Sequence, residues 1–456
     1  MDLSVFGVEV TDLAYDARAV TPGALFFCIP GKTADGHDFA AEAVDRGAVA
    51  LVVERRLDDL DVPQLIVPSV RAAMGPAAAD FFGRPSDTLE IAAVTGTNGK
   101  TTTAFLLHAI LEAAGRRPAL LTNIRRVVGG EERRIGLNTP EAIDLQRLLR
   151  EMLESGDRSC AMEATSIGGA QGRLAGTRFR VLVFTNLTQD HLDFHGTMEA
   201  YFDAKRALFD QADAAVVNVD DAWGKRLASE LPGAIAFSGG DELGAELRLR
   251  GRFNRENAAG AVAAARVLGI DPAAIRQGLE SVAGVPGRFE SVEAGQPFSV
   301  IVDYAHTPDS LDNVLRAARE LGPGRLTVVF GAGGDRDREK RPLMGRVAAE
   351  RADRAIVTTD NPRSEDPQAI AEEVAAGRLE IVVDRRAAIE RALADAGAGD
   401  VVVIAGKGAD TEMEIGGQFV PFDDRVVARE VLTSGVGSTE PPKSEGAGFA
   451  GAGSGE

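Results

Sequence analysis

The run Val94-Thr95-Gly96-Thr97-Asn98-Gly99-Lys100-Thr101-Thr102-Thr103 is the part of the chain best suited to chemistry on a phosphate. It follows an apolar, strand-like stretch and opens a helical one, residues 101–114, that Gly115 closes. Glycines in such a loop let backbone N–H groups approach phosphate oxygens, and the start of the helix adds the positive end of its dipole. Lys100 can then reach the β- and γ-phosphates of a nucleoside triphosphate, and Thr101 can offer its hydroxyl to Mg²⁺. Val94 stands where the commonest form of the loop has its first glycine, leaving Gly-x-x-Gly-Lys-Thr.

Other candidates sit where apolar runs end, the place at which an open α/β sheet exposes ligand groups. Glu163 closes Ser159-Cys160-Ala161-Met162, and Asp190-His191 follows the strand-like residues 181–186. Taken alone, a Glu or His at a strand end is more often a satisfied structural residue than a ligand. Lys205 lies in an amphipathic helical stretch, residues 197–210, where a lysine is ordinarily solvated. Asn257 precedes an Ala-rich helix and fits an N-cap, Arg288 fits a solvated linker, and Asp303 ends an apolar run. The glycine- and charge-rich residues 331–345 suit a site better than a core, with a solvated loop as the alternative. In Thr359-Asp360-Asn361-Pro362-Arg363 the proline stiffens a strand exit, and Arg363 can fork onto a carboxylate.

These residues need sheets to hold them. Apolar runs at 91–95, 160–163, 181–185 and 215–219 alternate with helical periods, which predicts a largely parallel sheet covered on both faces. Runs at 300–302, 326–330, 355–358, 381–383 and 401–405 predict a second doubly wound sheet. Residues 1–88, with one helical stretch near 37–46, predict a small α/β domain. Turn clusters at Gly83-Arg84-Pro85-Ser86-Asp87 and Gly284-Val285-Pro286-Gly287 mark the joints. The expected fold is α/β in three domains: 1–88, a P-loop ATPase-like central domain over 89–287, and a Rossmann-like domain over 288–432. A disordered, Gly- and Ser-rich tail is expected over 433–456. A length of 456 residues gives each domain enough chain for a core.

A formal charge of −19 argues against nucleic acid or an anionic membrane as the main partner, because those surfaces demand a basic footprint. Cys28 and Cys160 are too few for a disulfide framework and point to a reducing compartment. With no basic leader followed by a long apolar run, and no stretch of membrane-spanning length, a cytoplasmic monomer is expected.

Residues 95–103 resemble the ATP loop of the Mur ligase family, enzymes that build the peptide stem of the bacterial cell wall, and the resemblance extends over the chain up to the tail. Thr185-Asn186-Leu187-Thr188-Gln189-Asp190-His191-Leu192-Asp193-Phe194-His195-Gly196-Thr197-Met198 closely matches the family's central segment. The resemblance implies ATP bound by Gly96, Thr97, Asn98, Gly99, Lys100, Thr101 and Thr102, with Asn257 at the adenine, Arg288 at phosphate and Asp303 at the ribose. It implies Mg²⁺ held by Thr101, Glu163, His191 and Lys205 as its carbamate, which with Lys100 makes the catalytic set. A UDP-linked muramoyl dipeptide would meet Leu13, Ala17, Lys32, Thr33 and Ala34, then Asn138, Thr139, Thr165, Gln171 and Arg173, with Arg173 facing an anionic group. The acceptor diamino acid, meso-diaminopimelate, would meet Asp360, Asn361, Arg363, Gly406 and Asp410, with Arg363 on its distal carboxylate. The implied reaction is attack of a D-glutamyl carboxylate on the γ-phosphate, then displacement of phosphate from the acyl phosphate by the acceptor amine, under a closing C-terminal domain. The sequence identifies no general base for that amine.

Some positions depart from the family pattern. Ala17 replaces the serine of Asp-Ser-Arg, Ile167 the histidine of Ser-Ser-His, and Ala409-Asp410 the His-Glu of Gly-Lys-Gly-His-Glu, while Asn123-Ile124-Arg125-Arg126 is unusual after the first helix–strand unit. The rival readings are lysine addition, a folylpolyglutamate-type ligase, a non-catalytic nucleotide-binding paralogue and a phosphate-loop NTPase switch.

Overall fold

Alternate residues of the strand leading into the phosphate loop serve opposite cores. In the computed structural model, Ala92 and Val94 of Glu90–Thr95 pack with Leu107 and Ile110, whereas Ile91 and Ala93 pack with Met162 and Leu182 on the other face. Burial on both faces is why the run contains no polar interruption. Residues 3–31 and 34–435 are described, so Lys32, Thr33 and the tail beyond Gly435 lie outside the described residues.

Three sheets organise the chain. The first joins Asp12–Ala14, Ala24–Phe27, Ala50–Val53 and Gln64–Ile66, all parallel. The second has eight strands, with Glu90–Thr95 between Val181–Phe184 and Ser159–Glu163. Chain order reverses on the two sides of that strand, and such a switch point opens a crevice at the carboxyl ends. The phosphate loop, Glu163 and Thr185 all emerge there, since Val94 pairs with Glu163 and Thr95 with Phe184. The third sheet centres on Ser299–Asp303, Val401–Ala405, Leu326–Phe330 and Arg354–Val357, parallel to one another with Glu290–Ser291 antiparallel at one edge, and its carboxyl ends carry Asp303, Gly406, Gly331 and Asp360.

Several expectations need correction. The phosphate-loop helix is Lys100–Ala113, beginning one residue early. The helix of Lys205 ends at Arg206 and tightens into a 3₁₀ turn, Ala207–Gln211. Asn257 does not cap a helix: Arg252–Val267 starts at Gly251, so Asn257 is buried inside it. The last helix, Asp424–Gly435, runs past the expected start of the tail, and the Thr433 hydroxyl donates to Arg429 O. Antiparallel Arg126–Val128 and Glu131–Glu132, and the hairpin Glu412–Ile415 with Gln418–Pro421, were not anticipated.

One buried ion pair locks the acceptor side of the third sheet. Arg385 donates to Asp424 through Nε and Nη2, at 2.8 and 2.7 Å, and both side chains are 0% exposed. The guanidinium also donates to Thr359 O and Ala405 O, the last residues before Asp360 and Gly406. Removing one partner strands a buried charge. Asp424→Ala is therefore expected to destabilise the protein by about 3–5 kcal/mol, measured as a fall in its urea unfolding midpoint.

Candidate active site

The cleft at the switch point collects most of the nucleotide-side candidates. Thr97, Asn98, Gly99, Lys100, Thr101 and Thr102 line it with Glu163, His191, Lys205, Asn257, Arg288 and Asp303. Gly99 has φ of +86°, and a Cβ on it would lie 2.1 Å from Asn257 Oδ1, so glycine is what lets the Asn257 amide rest on the loop. Gly96 contributes its carbonyl, which accepts from Lys100 Nζ at 3.0 Å and from Lys205 Nζ at 2.8 Å. Lys100 also donates to Thr97 O at 2.6 Å. Two lysine side chains thus share one carbonyl at the loop. Burial lowers the Lys100 pKa, although Glu163 and Asp190 oppose that effect.

Lys205 is the side chain the sequence describes worst. A helical lysine is ordinarily solvated, yet this one is 1% exposed, with its nitrogen 4.5 Å from the Tyr201 ring centroid. Desolvation, reinforced by Lys100, holds its pKa well below the usual lysine range. His191 sits in the left-handed region at φ of +54°, and burial pulls its ring down to about 4 despite Asp190. Its imidazole is neutral at pH 7 and keeps a lone pair for a cation.

Glu163, 1% exposed, accepts from the Thr101 hydroxyl at 2.8 Å and from Asn123 N at 3.3 Å. Arg288 reaches in from the turn before the third sheet, donating to Thr101 Oγ1 at 3.0 Å and Asn123 Oδ1 at 3.3 Å, with its guanidinium 4.2 Å from the Tyr304 ring centroid. The departure at Asn123 therefore lies within the centre. Asp303 accepts from Phe289 N and Ala305 N, so its carboxylate is partly spent on the turn beside Arg288. The second and third sheets also meet across the cleft through Asn98 Nδ2 donating to Asp309 and Gln189 Nε2 donating to Asp337, each at 3.0 Å. Asp190 faces His306 and Lys340, both at 3.7 Å.

The donor-substrate candidates are less uniform. Asn138 and Thr165 line the cleft, and Thr139 shares a hydroxyl hydrogen bond with Thr165 at 2.7 Å. Arg173 was expected to face a substrate anion, but it pairs with Glu141 at 3.0 Å, whose other oxygen meets Arg71 at 3.1 Å. Arg71 also donates to Gln171 O. No local pattern announced Glu141 as the partner. Leu13 and Ala17 are buried in the two cores of the first sheet, which leaves only their backbone for a ligand. Ala34 is described, whereas neighbouring Lys32 and Thr33 are not.

The acceptor candidates converge at the third sheet. Asp360 is buried, and its Oδ2 lies 2.3 Å from where a Cβ on Gly406 would stand. Asp410 faces Lys407, Asp360, Arg288 and His306, and desolvation raises its pKa. Asn361 Oδ1 accepts from Glu414 N at 2.9 Å, and Arg363 Nε pairs with Glu414 Oε2 at 3.2 Å.

Domain models of one family cover most of the chain: Mur ligase family, catalytic domain over residues 9–81, Mur ligase middle domain over 94–239, and Mur ligase, glutamate ligase domain over 287–408. A protein of Syntrophomonas wolfei named UDP-N-acetylmuramoyl-L-alanyl-D-glutamate--2,6-diaminopimelate ligase is 44% identical, over 94% of this chain and 96% of its own. The chain belongs to the Mur ligase family. An Aquifex aeolicus protein of the same name is 42% identical, with 95% of each chain covered. Among solved Mur ligases, a structure of a UDP-N-acetylmuramoyl-L-alanyl-D-glutamate--2,6-diaminopimelate ligase aligns over 94% of this chain and 95% of its own, at 32% identity and a TM-score of 0.64. The MurF ligase of Thermotoga maritima in complex with ADP, at 20% identity and a TM-score of 0.61, shares the fold.

Proposed function

We propose that this Mur ligase adds meso-diaminopimelate to UDP-N-acetylmuramoyl-L-alanyl-D-glutamate, using ATP and passing through an acyl phosphate. The observation that carries the chemistry is the cleft itself, which Lys100, Thr101, Glu163 and His191 line together and which Arg288 enters from the turn before the third sheet. The full-length likeness to proteins named for that reaction carries the substrate pair.

The donor set fits Mg²⁺. A hydroxyl and a buried carboxylate 2.8 Å apart are oxygen ligands of the kind the ion prefers, and it completes its shell with phosphates and water. Among the described residues no group of three or more His, Cys, Asp and Glu is placed to hold a metal ion unaided. Thr101 and Glu163 would hold the ion, with His191 and a Lys205 carbamate as further ligands. Bound there, it would screen γ-phosphate charge against the incoming carboxylate. Lys100 and Arg288 add positive charge at the transferring phosphoryl group. Arg173, held by Glu141, orients Thr139 through its carbonyl at 3.1 Å. Asp360, Asn361, Arg363, Gly406 and Asp410 bind the acceptor, and contacts such as Asn98 to Asp309 hold the second and third sheets together across the cleft.

Phosphate release with the UDP-muramoyl dipeptide and each acceptor tests the reading. Release is expected only when ATP, dipeptide and meso-diaminopimelate are all present, and L-lysine should support roughly 100-fold less, for want of a carboxylate at Arg363. Release without an acceptor identifies an NTPase, and none with any acceptor identifies a nucleotide-binding scaffold.

A further inference from the structure

We infer that Glu414 is a specificity residue for the acceptor, forming with Arg363 a two-charge clamp that recognises an ammonium and a carboxylate carried on the same carbon. The inference rests on the ligase reading above and assigns Glu414 a role that the family resemblance did not.

The pair is built into the backbone. Arg363 N donates to Glu414 O at 3.0 Å, Gly416 N donates to Arg363 O at 2.7 Å, and Glu414 N donates to Asn361 Oδ1. The hairpin Glu412–Ile415 with Gln418–Pro421 is thereby fastened to the strand exit carrying Arg363. Arg363 is itself held at φ of +52°, with Nη1 donating to Gly334 O at 2.6 Å. Both charged groups are part-buried, at 22% and 30% exposure, so they are not a loose surface pair.

The chemistry follows from charge balance. An unopposed Arg363 would accept any distal carboxylate. With Glu414 beside it the surface is dipolar and complements the distal end of a diaminopimelate, where ammonium and carboxylate share a carbon. Asp410 feels Lys407, Asp360, Arg288 and His306, and the last two line the nucleotide cleft. Glu414 is the carboxylate found against Arg363.

The test compares two acceptors: meso-diaminopimelate and 2-aminopimelate, which keeps the distal carboxylate and lacks the distal amine. Glu414→Gln is expected to raise KM for meso-diaminopimelate roughly 10-fold with kcat within about twofold, and to leave KM for 2-aminopimelate unchanged. An acceptor that is not turned over is scored by its inhibition constant against meso-diaminopimelate. Glu414→Asp, which keeps the charge, should recover part of the loss, and an unchanged unfolding midpoint excludes a folding defect. Equal loss on both acceptors overturns the proposal, as does tighter binding of both, which would make Glu414 a competitor for Arg363. A wild-type protein that uses neither acceptor overturns the ligase reading together with this proposal, whereas equal effects in an active enzyme overturn this proposal alone.

Discussion

Lys100→Met is expected to lower kcat for ATP-dependent amide formation by roughly 10³-fold while leaving the protein folded. In the structure the Lys100 ammonium is held between Gly96 O and Thr97 O, with no carboxylate in direct hydrogen bond among the described residues. Nearby Glu163 and Asp190 still favour its charged form. That arrangement places a cation where a transferring phosphoryl group develops charge, in a setting drier than bulk water, where such a charge is worth most. Methionine keeps the length and apolar stem, so the loss should fall on the chemical step more than on packing. Arg288→Met should cost less, because its guanidinium is already engaged by Thr101 and Asn123. Phosphate release at saturating substrates, with ATP binding measured separately, checks both. A kcat within tenfold of wild type for Lys100→Met would move phosphoryl activation to other residues.

How much of this was legible beforehand varied with the physics. Strands such as Leu326–Phe330 and Val401–Ala405 could be read to the residue because both faces are buried and, Thr327 apart, the runs are apolar. The phosphate loop was legible because glycine, lysine and threonine are each demanded at a fixed offset by the same ligand. Arg126–Val128 and Glu131–Glu132 escaped because strands so short show no period. Side-chain partners that are distant in sequence were illegible in principle: Glu141 against Arg173, Asn123 between Thr101 and Arg288, and Glu414 against Arg363 are products of chain crossing alone. The burial of Lys205 was hidden for a related reason. Its helix is amphipathic, but Tyr201, Phe202 and Lys205 share the inward side, so composition suggested the opposite exposure.

That burial sets up the second large effect. Lys205→Ala is expected to reduce kcat roughly 100-fold, with partial recovery on addition of a short-chain carboxylate such as acetate. The reasoning turns on which form of the side chain the site tolerates. Desolvation and the neighbouring Lys100 both disfavour an ammonium there, so the amine, the form that can attack CO₂, is more abundant at neutral pH than for a solvated lysine. A carbamate places an anion beside Lys100 where an ammonium is disfavoured, and it provides oxygen donors of the type Mg²⁺ prefers. Isotopically labelled bicarbonate should then enrich the wild-type protein and leave Lys205→Ala unlabelled, and stripping CO₂ should lower wild-type activity reversibly. A purely structural lysine, needed only to donate to Gly96 O, predicts otherwise: no label, no dependence on CO₂, and no rescue by a carboxylate, because acetate cannot donate to a carbonyl. The direction of the acetate effect therefore separates an anionic role from a cationic one at a single buried position.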